Sequence, residues 1–206
     1  DHLCQQRCTR INYDNPIMIK DIKRFISEKS RFKKLKNRVN KKVSTKVAII
    51  GAGPSGFSCA YFLILEGFQV EVFEERSFAG GMLSYVIPKF RLPAEKIARD
   101  IKRIEGLGVK IHYNTKIDKQ LFEKLKREYD FIYISSGAQK SKRLLIEGEE
   151  SNKVTDALTF LSQIRMGETV SHGKHIAIVG GGNSAIDAAR TALRINKNIG
   201  NVTIIY

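Results

Sequence analysis

Three features of the amino-acid sequence predict an α/β fold built on a parallel sheet. Predicted strands and helices alternate between residues 46 and 135, which is the order expected of parallel strands joined by right-handed crossovers. The first predicted strand is an uninterrupted apolar run, as expected where both faces of a strand are buried. The order strand, glycine-rich turn, helix occurs twice, near residues 50 and 180. These features predict a Rossmann-like, doubly wound sheet and the start of a second, inserted fold of the same type.

The elements of the first sheet are assigned from hydrophobic runs and from the glycines that end them. Gly67 follows the first predicted helix and is expected to stop it. Gly80 and Gly81 break the chain before residues 82–93, which we expect to be irregular. The predicted strands cover residues 47–50, 69–73, 109–113 and 131–135, and the predicted helices cover residues 55–66, 94–107 and 119–129.

The N-terminal residues differ in composition from the rest of the chain. A predicted helix over residues 16–28 leads into a basic stretch without periodicity, which we interpret as a solvated linker. Residues 20–46 hold twelve Lys or Arg and two acidic residues, so they contribute +10 to the +15 formal charge of the 206-residue chain. We predict three regions: a short helical N-terminal segment with its linker (1–45), a first dinucleotide fold (46–170) and the start of a second (171–206).

The first glycine-rich turn carries a G-x-G-x-x-G motif between a strand and a helix, the context that dinucleotide binding requires. Its glycines permit a tight turn, close approach of the backbone to a pyrophosphate, and close packing of helix on strand, while the helix N-terminus attracts the anion. Glu74 ends the next strand about twenty residues on, where it is expected to bind a ribose hydroxyl pair. An ordinary glycine-rich turn is the alternative, and Glu74 argues against it. The candidate residues are Gly51, Ala52, Gly53, Pro54, Ser55, Gly56 and Glu74.

The second turn lies between a predicted strand over residues 176–179 and a predicted helix over residues 183–194, and a further strand starts at residue 202. Alanine stands at the third glycine position, a variant that such turns permit. A purely structural turn is again the alternative. The residue that would distinguish NAD from NADP is expected at or beyond residue 206, so both cofactors stay open. The candidate residues are Gly180, Gly181, Gly182, Asn183, Ser184 and Ala185.

The three cysteines, Cys4, Cys8 and Cys59, form an odd and sparse set. Such a set favours reduced thiols in the cytoplasm over a disulfide framework. Cys59 falls inside a predicted helix and is expected to pack as a small apolar side chain. The spacing of Cys4 and Cys8 suits soft-metal or iron–sulfur ligation, but two thiolates do not hold a cluster. Any such site needs further cysteines from outside this sequence.

Several runs of residues resemble one family of flavoproteins. KVAIIGAGPSGFSCAYFL, VEVFEER and GGMLSYVIPKFRLP resemble the flavin region of the glutamate synthase small chain and of dihydropyrimidine dehydrogenase and, most closely, selenate reductase subunits. VGGGNSAIDAARTALR and NVTIIY resemble the nicotinamide fold of that family, and CQQRCTR resembles the end of its iron–sulfur domain. The resemblance implies an NAD(P)H-dependent oxidoreductase that contains FAD and, in the full-length protein, 4Fe-4S clusters. Electrons would pass on to an accepting subunit or domain.

The same resemblance implies a role for each matching residue. The first glycine motif would hold the FAD pyrophosphate, Glu74 the adenosine ribose, and the second motif the phosphates of NADP or NAD. Gly81 and Met82 would approach the flavin by backbone, Arg91 would contact the cofactor, Ile117 would lie near its adenine, and Cys4 and Cys8 would be iron–sulfur ligands. One departure is the Ser135-Ser136-Gly137 sequence, where the family has Ala-Thr-Gly.

Two other functions stay open from the sequence. A flavin oxidase or monooxygenase would use only the first fold, and the second glycine motif argues against it. A non-catalytic module would use the basic stretch of residues 20–46, but no aromatic platform or nucleic-acid motif accompanies that charge, so nucleic acid is not the expected partner. No apolar run approaches the roughly 20 residues of a membrane-spanning helix, so we expect a cytoplasmic protein without a membrane partner.

Overall fold

The computed structural model describes residues 2–29, 43–195 and 200–206. The chain forms two compact units, one ending at residue 37 and one beginning at residue 38. The first unit contains helix α1 (Leu3–Gln6), a 3₁₀ turn (Thr9–Asn12) and helix α2 (Ile19–Lys29). Helix α2 begins later than the predicted residue 16, because the Ile19 amide closes a tight turn onto the Ile17 carbonyl before the helix starts. The predicted linker falls largely on residues 30–42, outside the described residues.

The second unit contains six strands and six helices among its described residues. The strands are β1 (Lys46–Ile50), β2 (Gln69–Phe73), β3 (Lys110–His112), β4 (Phe131–Ile134), β5 (His175–Val179) and β6 (Asn201–Ile205). The helices are α3 (Pro54–Leu65), α4 (Met82–Tyr85), α5 (Ala94–Glu105), α6 (Lys119–Glu128), α7 (Ala157–Met166) and α8 (Asn183–Ile195). The predicted α/β fold class is confirmed.

Strand β1 lies in the middle of a four-stranded sheet whose order is β3-β2-β1-β4. Both of its neighbours run parallel to it, with Ile49 level with Val72 on one side and with Tyr133 on the other. Strands β5 and β6 form a separate parallel pair. Because the chain returns to each strand through a helix, the carboxyl ends of β1, β2 and β4 share one edge of the sheet, where the glycine-rich turn lies.

The hydrophobic core surrounds β1 on both faces. Val47 and Ile49 pack with residues of α3, while Ala48 packs on the opposite face with Phe73 and Leu125. Val47, Ala48 and Ile49 are all nearly inaccessible to solvent. The prediction of a strand buried on both faces is therefore confirmed. Cys59 is half-buried against the same core, as predicted, and burial raises the pKa of its thiol.

Two helices of the second unit, α4 and α7, were not predicted from the sequence. Residues 82–93 were expected to be irregular, but their first four residues form α4, because the amides of Ser84 and Tyr85 bond to the Gly81 carbonyl. Helix α7 was not predicted at all. Its signals were present, since Asp156 caps its start and Gly167 ends it in the left-handed conformation. None of the helices in the described ranges combines the length and the apolar character needed to cross a membrane.

Asp156 gives a test of how much the cap stabilises α7. Its carboxylate accepts hydrogen bonds from the amides of Leu158 and Thr159, both 3.1 Å long, and from the Ser141 hydroxyl. We expect Asp156→Ala to lower the free energy of unfolding by ~1 kcal/mol and Asp156→Asn by much less. Urea unfolding followed by circular dichroism measures both values, and equal losses would contradict the capping role.

The stabilisation by Asp156 should also depend on pH. Burial raises the pKa of this carboxyl, but the hydrogen bonds from Ser141, Thr159 and Leu158 outweigh burial, so its pKa lies below the usual range. A carboxyl whose pKa falls on folding stabilises the protein above its unfolded pKa of about 4, and the contribution is lost as the pH drops through the folded pKa. The difference in unfolding free energy between the wild type and Asp156→Ala should therefore shrink in acid.

Candidate dinucleotide-binding sites

The first glycine-rich turn is pressed against the end of β4. Gly51 has a φ of +101°, and a Cβ there would lie 2.5 Å from the Ser135 carbonyl oxygen. A Cβ on Gly56 would lie 2.0 Å from the Gly51 carbonyl oxygen and 2.8 Å from Ser135 Oγ. Real Cβ atoms do not approach oxygen atoms so closely, so the fold itself requires glycine at both positions.

Gly53 differs from these two glycines, because the surrounding protein leaves room for a side chain. Its φ is −82°, and a Cβ would lie 3.8 Å from the nearest atom, Gly81 Cα, at an ordinary contact distance. Helix α3 then begins at Pro54 without a capping side chain. Pro54 has no N–H and the Phe57 amide donates to the Gly53 carbonyl. Ser55 and Gly56 therefore carry the first-turn amides that a phosphate at this helix N-terminus would bind.

Glu74 lies against the same turn. Its side chain is buried, and its two carboxylate oxygens accept hydrogen bonds from the backbone amides of Ala52 at 2.8 Å and Arg76 at 2.9 Å. The structure thus brings the predicted acidic residue to the predicted glycine motif. The carboxylate also braces the turn, which the sequence analysis did not foresee. The ribose contact stays a prediction.

Two residues of the β4 edge belong to the site and were missed from sequence. Ser135 Oγ donates to the carbonyls of Ile50 at 2.9 Å and Gly51 at 3.0 Å, so it ties β4 to the turn. The Tyr133 and Ser55 hydroxyls are 2.9 Å apart. The sequence signal for Ser135 was a hydroxyl residue at the end of a predicted strand. Its partner Gly51 is 84 residues away in the chain, so the sequence does not show that the two residues meet.

Gly81 and Met82 form the opposite wall of the turn. Gly81 has a φ of +52°, and a Cβ there would lie 2.8 Å from Gly53 Cα, so the two backbones are in contact. Met82 follows as the first residue of α4 and is half-buried. The structure therefore places the predicted flavin contacts beside the predicted pyrophosphate loop. Ile117 is half-buried near Phe73 on one face of the sheet, and its adenine contact stays a prediction.

The second glycine motif joins β5 to α8. Gly180 has a φ of +113°, and its amide donates to the Ile205 carbonyl at 2.7 Å. Ala185 is buried where the motif's third glycine would pack. A Cβ on Gly182 would meet nothing within 4 Å. As at Gly53, the fold alone does not demand glycine here, whereas a phosphate close to the backbone would.

Of the remaining residues of the second motif, Asn183 and Ser184 are exposed to solvent, and Gly181 lies near Tyr206. Asn183 and Ser184 are exposed at the start of α8. A Cβ on Gly181 would lie 3.2 Å from the Tyr206 ring. The two side chains at the helix start are therefore accessible to a ligand.

An ion pair joins the segment after Gly81 to helix α8. Arg91 Nη1 lies 2.8 Å from both carboxylate oxygens of Asp187, whose side chain is only 8% exposed. Arg91 is a cofactor contact that the family resemblance implied, whereas Asp187 was not singled out from the sequence. The missed signal was an acidic residue between the buried alanines of α8, Ala185, Ala188, Ala189 and Ala192.

One cavity of about 400 Å³ lies between the segment that contains Arg91 and the second glycine motif. Val86, Ile87, Arg91 and Leu92 form one wall, Leu161 forms another, and Asn183, Ser184 and Asp187 form the wall on the α8 side. The structure therefore brings residues of the predicted flavin segment and of the predicted nicotinamide motif to a common space.

Cys4 and Cys8 lie in the first unit, where Cys4 is exposed on α1 and Cys8 is half-buried next to the 3₁₀ turn. Over residues 2–29, 43–195 and 200–206, no group of three or more His, Cys, Asp or Glu side chains is arranged to hold a metal ion. Thiolates suit an iron–sulfur cluster chemically, but these two do not form a complete site.

The fold and the first turn define a Rossmann-like protein whose glycine motif lies at the carboxyl edge of a parallel sheet. The family model for pyridine nucleotide-disulphide oxidoreductases matches residues 45–206. The chain belongs to this family, which confirms the resemblance found in the sequence.

Two curated relatives of the chain carry NADPH in their names. It is 37% identical over 201 residues to the NADPH-Fe(3+) oxidoreductase subunit beta of Geobacter sulfurreducens, covering 94% of this chain and 30% of the relative. It is 32% identical over 220 residues to the glutamate synthase [NADPH] small chain of Escherichia coli strain K12, covering all of this chain and 46% of the relative. The chain thus spans less than half the length of either relative.

A solved structure of similar fold is FprA from Mycobacterium tuberculosis in complex with NADPH. The similarity has a TM-score of 0.63 and 25% sequence identity, and it covers 71% of this chain and 36% of FprA. The likeness includes the Rossmann-like architecture, in agreement with the predicted fold class.

A pair of alanine substitutions separates the glycines that the fold needs from the one that a ligand needs. Gly56→Ala should lower the free energy of unfolding by about 1–3 kcal/mol or more, because its methyl group would overlap the Gly51 carbonyl. Gly53→Ala should leave the unfolding curve nearly unchanged and weaken FAD binding, because the methyl group would fill the space beside the first-turn amides. Urea unfolding and flavin fluorescence titration measure the two effects, and normal FAD binding by Gly53→Ala would contradict this division.

Proposed function

We propose that the full protein is an NAD(P)H-dependent flavoprotein oxidoreductase that passes electrons from FAD to iron–sulfur clusters and an accepting subunit or domain. The observation that carries this proposal is the shared cavity, whose walls come from the segment of Arg91 and from the second glycine motif. Hydride transfer between two bound cofactors requires their sites to meet, because the reacting atoms must come within about 3–3.5 Å.

The first turn fits the pyrophosphate of FAD. Gly53 leaves room beside the first-turn amides of α3, and Gly81 closes on it from the other side. In this proposal residues 51–56 hold the pyrophosphate, Glu74 the ribose, and Gly81, Met82 and Arg91 the flavin end. When bound, FAD supplies the chemistry that accepts a hydride and releases electrons one at a time.

The second turn fits the phosphates of a nicotinamide dinucleotide. Gly182 leaves open space, and Asn183 and Ser184 are exposed at the first turn of α8. The NADPH that appears in the names of both relatives and in the FprA complex supports a nicotinamide here. The choice between NADP and NAD stays open for this chain.

The iron–sulfur part of the proposal rests on the resemblance of the Cys4 and Cys8 segment and on one relative. The Geobacter sulfurreducens protein is a subunit of an NADPH-Fe(3+) oxidoreductase, which supports an accepting partner. Because two thiolates do not hold a 4Fe-4S cluster, the remaining ligands must come from other parts of the full protein. A cytoplasmic location is part of the same proposal.

The first experiment is an absorption spectrum of the full protein, purified without oxygen, before and after addition of NADPH or NADH. We expect flavin absorption that bleaches on addition, over a broad iron–sulfur absorption. A protein that holds no flavin after incubation with FAD would overturn the proposal.

A matched pair of substitutions tests the nicotinamide half separately. Gly182→Val should abolish bleaching by NAD(P)H while FAD stays bound, because the side chain would occupy the open space at the second turn. Gly173→Val is the control, since Gly173 is an exposed loop glycine whose Cβ would meet only ordinary contacts beyond 3.5 Å. Unchanged reduction in Gly182→Val would favour the alternative, a flavin oxidase or monooxygenase that uses only the first fold.

A further inference from the structure

Arg165 is a buried cation whose side-chain hydrogen bonds, within the described residues, go to backbone carbonyls. It lies in the last turn of α7 and is only 6% exposed. Burial lowers the pKa of its guanidinium, but an arginine side chain stays protonated at neutral pH. Burying such a charge is costly unless its N–H groups are hydrogen-bonded. The hydrogen-bond acceptors of Arg165 therefore indicate its structural role.

All the partners of Arg165 are backbone carbonyls of one segment. Nε donates to Ser84 at 3.0 Å, Nη1 donates to Leu92 at 3.2 Å, and Nη2 lies 3.5 Å from the Leu83 carbonyl. These carbonyls are 73 to 82 residues away from Arg165 in the chain. One planar group therefore binds both the end of α4 and the residue before Pro93.

The carbonyls at the end of α4 accept from a side chain because the local sequence does not offer them a backbone N–H. In a continuing helix the Ser84 carbonyl would accept from the amide of residue 88. Residue 88 is proline, which has no N–H. The Ile87 amide, which could serve Leu83, donates to the Met82 carbonyl instead at 3.0 Å. The guanidinium supplies the donors that the backbone does not.

The Leu92 carbonyl is in a similar position at the start of α5. Pro93 is the N-cap of that helix, and the Lys96 amide donates to the Pro93 carbonyl at 3.2 Å. The Leu92 carbonyl thus precedes the first bond of the helix, and Arg165 Nη1 binds it. Both ends of residues 84–92 are held by the same side chain.

The segment between these two ends carries residues of the proposed flavin site. Val86, Ile87 and Arg91 line the cavity shared with the second glycine motif. Met82 lies two residues before Ser84, whose carbonyl Arg165 binds. A shift at either end of the segment would therefore move the residues that the proposed function places against the flavin.

We propose that Arg165 is a positioning residue, which holds residues 84–92 in the shape that the flavin end of FAD requires. It acts through Met82 and Arg91 and not by contact with substrate. This inference rests on the proposed function, because it assigns the FAD site a residue that supports it from α7. The forked geometry of arginine is essential, since a lysine ammonium is a single point donor and does not reach both ends of the segment in a fixed plane.

The test compares Arg165→Met and Arg165→Lys with the wild type in the full protein. Arg127→Met is the matched control, because Arg127 is exposed on α6. Hydrogen–deuterium exchange without FAD is the first readout. Both Arg165 variants should exchange faster over residues 84–92 and normally over β1, whereas Arg127→Met should match the wild type.

Flavin binding is the second readout. Loss of charge-assisted hydrogen bonds that hold the segment should weaken FAD binding by about tenfold in Arg165→Met. The kcat with NADPH should fall by up to about a hundredfold, because a 1 Å misplacement of reacting groups has that effect. The KM for NADPH should change less. Arg165→Lys should restore little of either property.

These readouts distinguish failure of the inference from failure of the proposed function. Unchanged exchange over residues 84–92 in Arg165→Met would overturn the positioning role whether or not FAD binds. Faster exchange with unchanged FAD affinity would overturn the link to the flavin, and full rescue by lysine would show that charge alone matters. Among these readouts, an absence of flavin binding or of NAD(P)H turnover in the wild type is what counts against the proposed function itself.

Discussion

The packing of the Gly51 backbone against the end of β4 is the constraint on which the rest of the site depends. Strand β1 brings the chain to the carboxyl edge of the sheet, and the Ser135 carbonyl leaves no room for a side chain at Gly51. The turn must therefore reverse tightly, which sets where α3 begins and where its first amides point. The Gly81 backbone then closes on Gly53. The shape of the proposed pyrophosphate loop is thus decided by protein contacts before any ligand arrives.

Three polar side chains, of which Glu74 and Arg165 are buried and Ser135 is half-buried, each bind backbone at more than one point. Glu74 joins the amides of Ala52 and Arg76, Ser135 joins the carbonyls of Ile50 and Gly51, and Arg165 joins the two ends of the segment after α4. A buried polar group is costly unless its hydrogen bonds are made. Such groups therefore specify one geometry, which is what a cofactor site requires of its supporting residues.

The sequence predicted the first fold well because its signals are local. The apolar run of β1, the glycines of both turns and Glu74 at the end of β2 lie where the patterns indicated. Helix α4 was missed because four residues are too few to show a helical period. Helix α7 was missed although Asp156 and Gly167 mark its two ends. Arg91 was singled out by resemblance, but its ion pair with Asp187 depends on a contact across 96 residues.

The sequence by itself determined the α/β class, the order of the strands and of most helices, and the two glycine motifs, because hydrophobic periodicity and glycine conformation act over a few neighbouring residues. Only the tertiary structure decided which glycines the fold needs and which it leaves free for a ligand. It also decided that Arg165 binds both ends of residues 84–92 and that the segment of Arg91 shares a cavity with the second motif. The physical reason is that close packing and buried hydrogen bonds join residues far apart in the chain, and no local pattern records which pairs will meet.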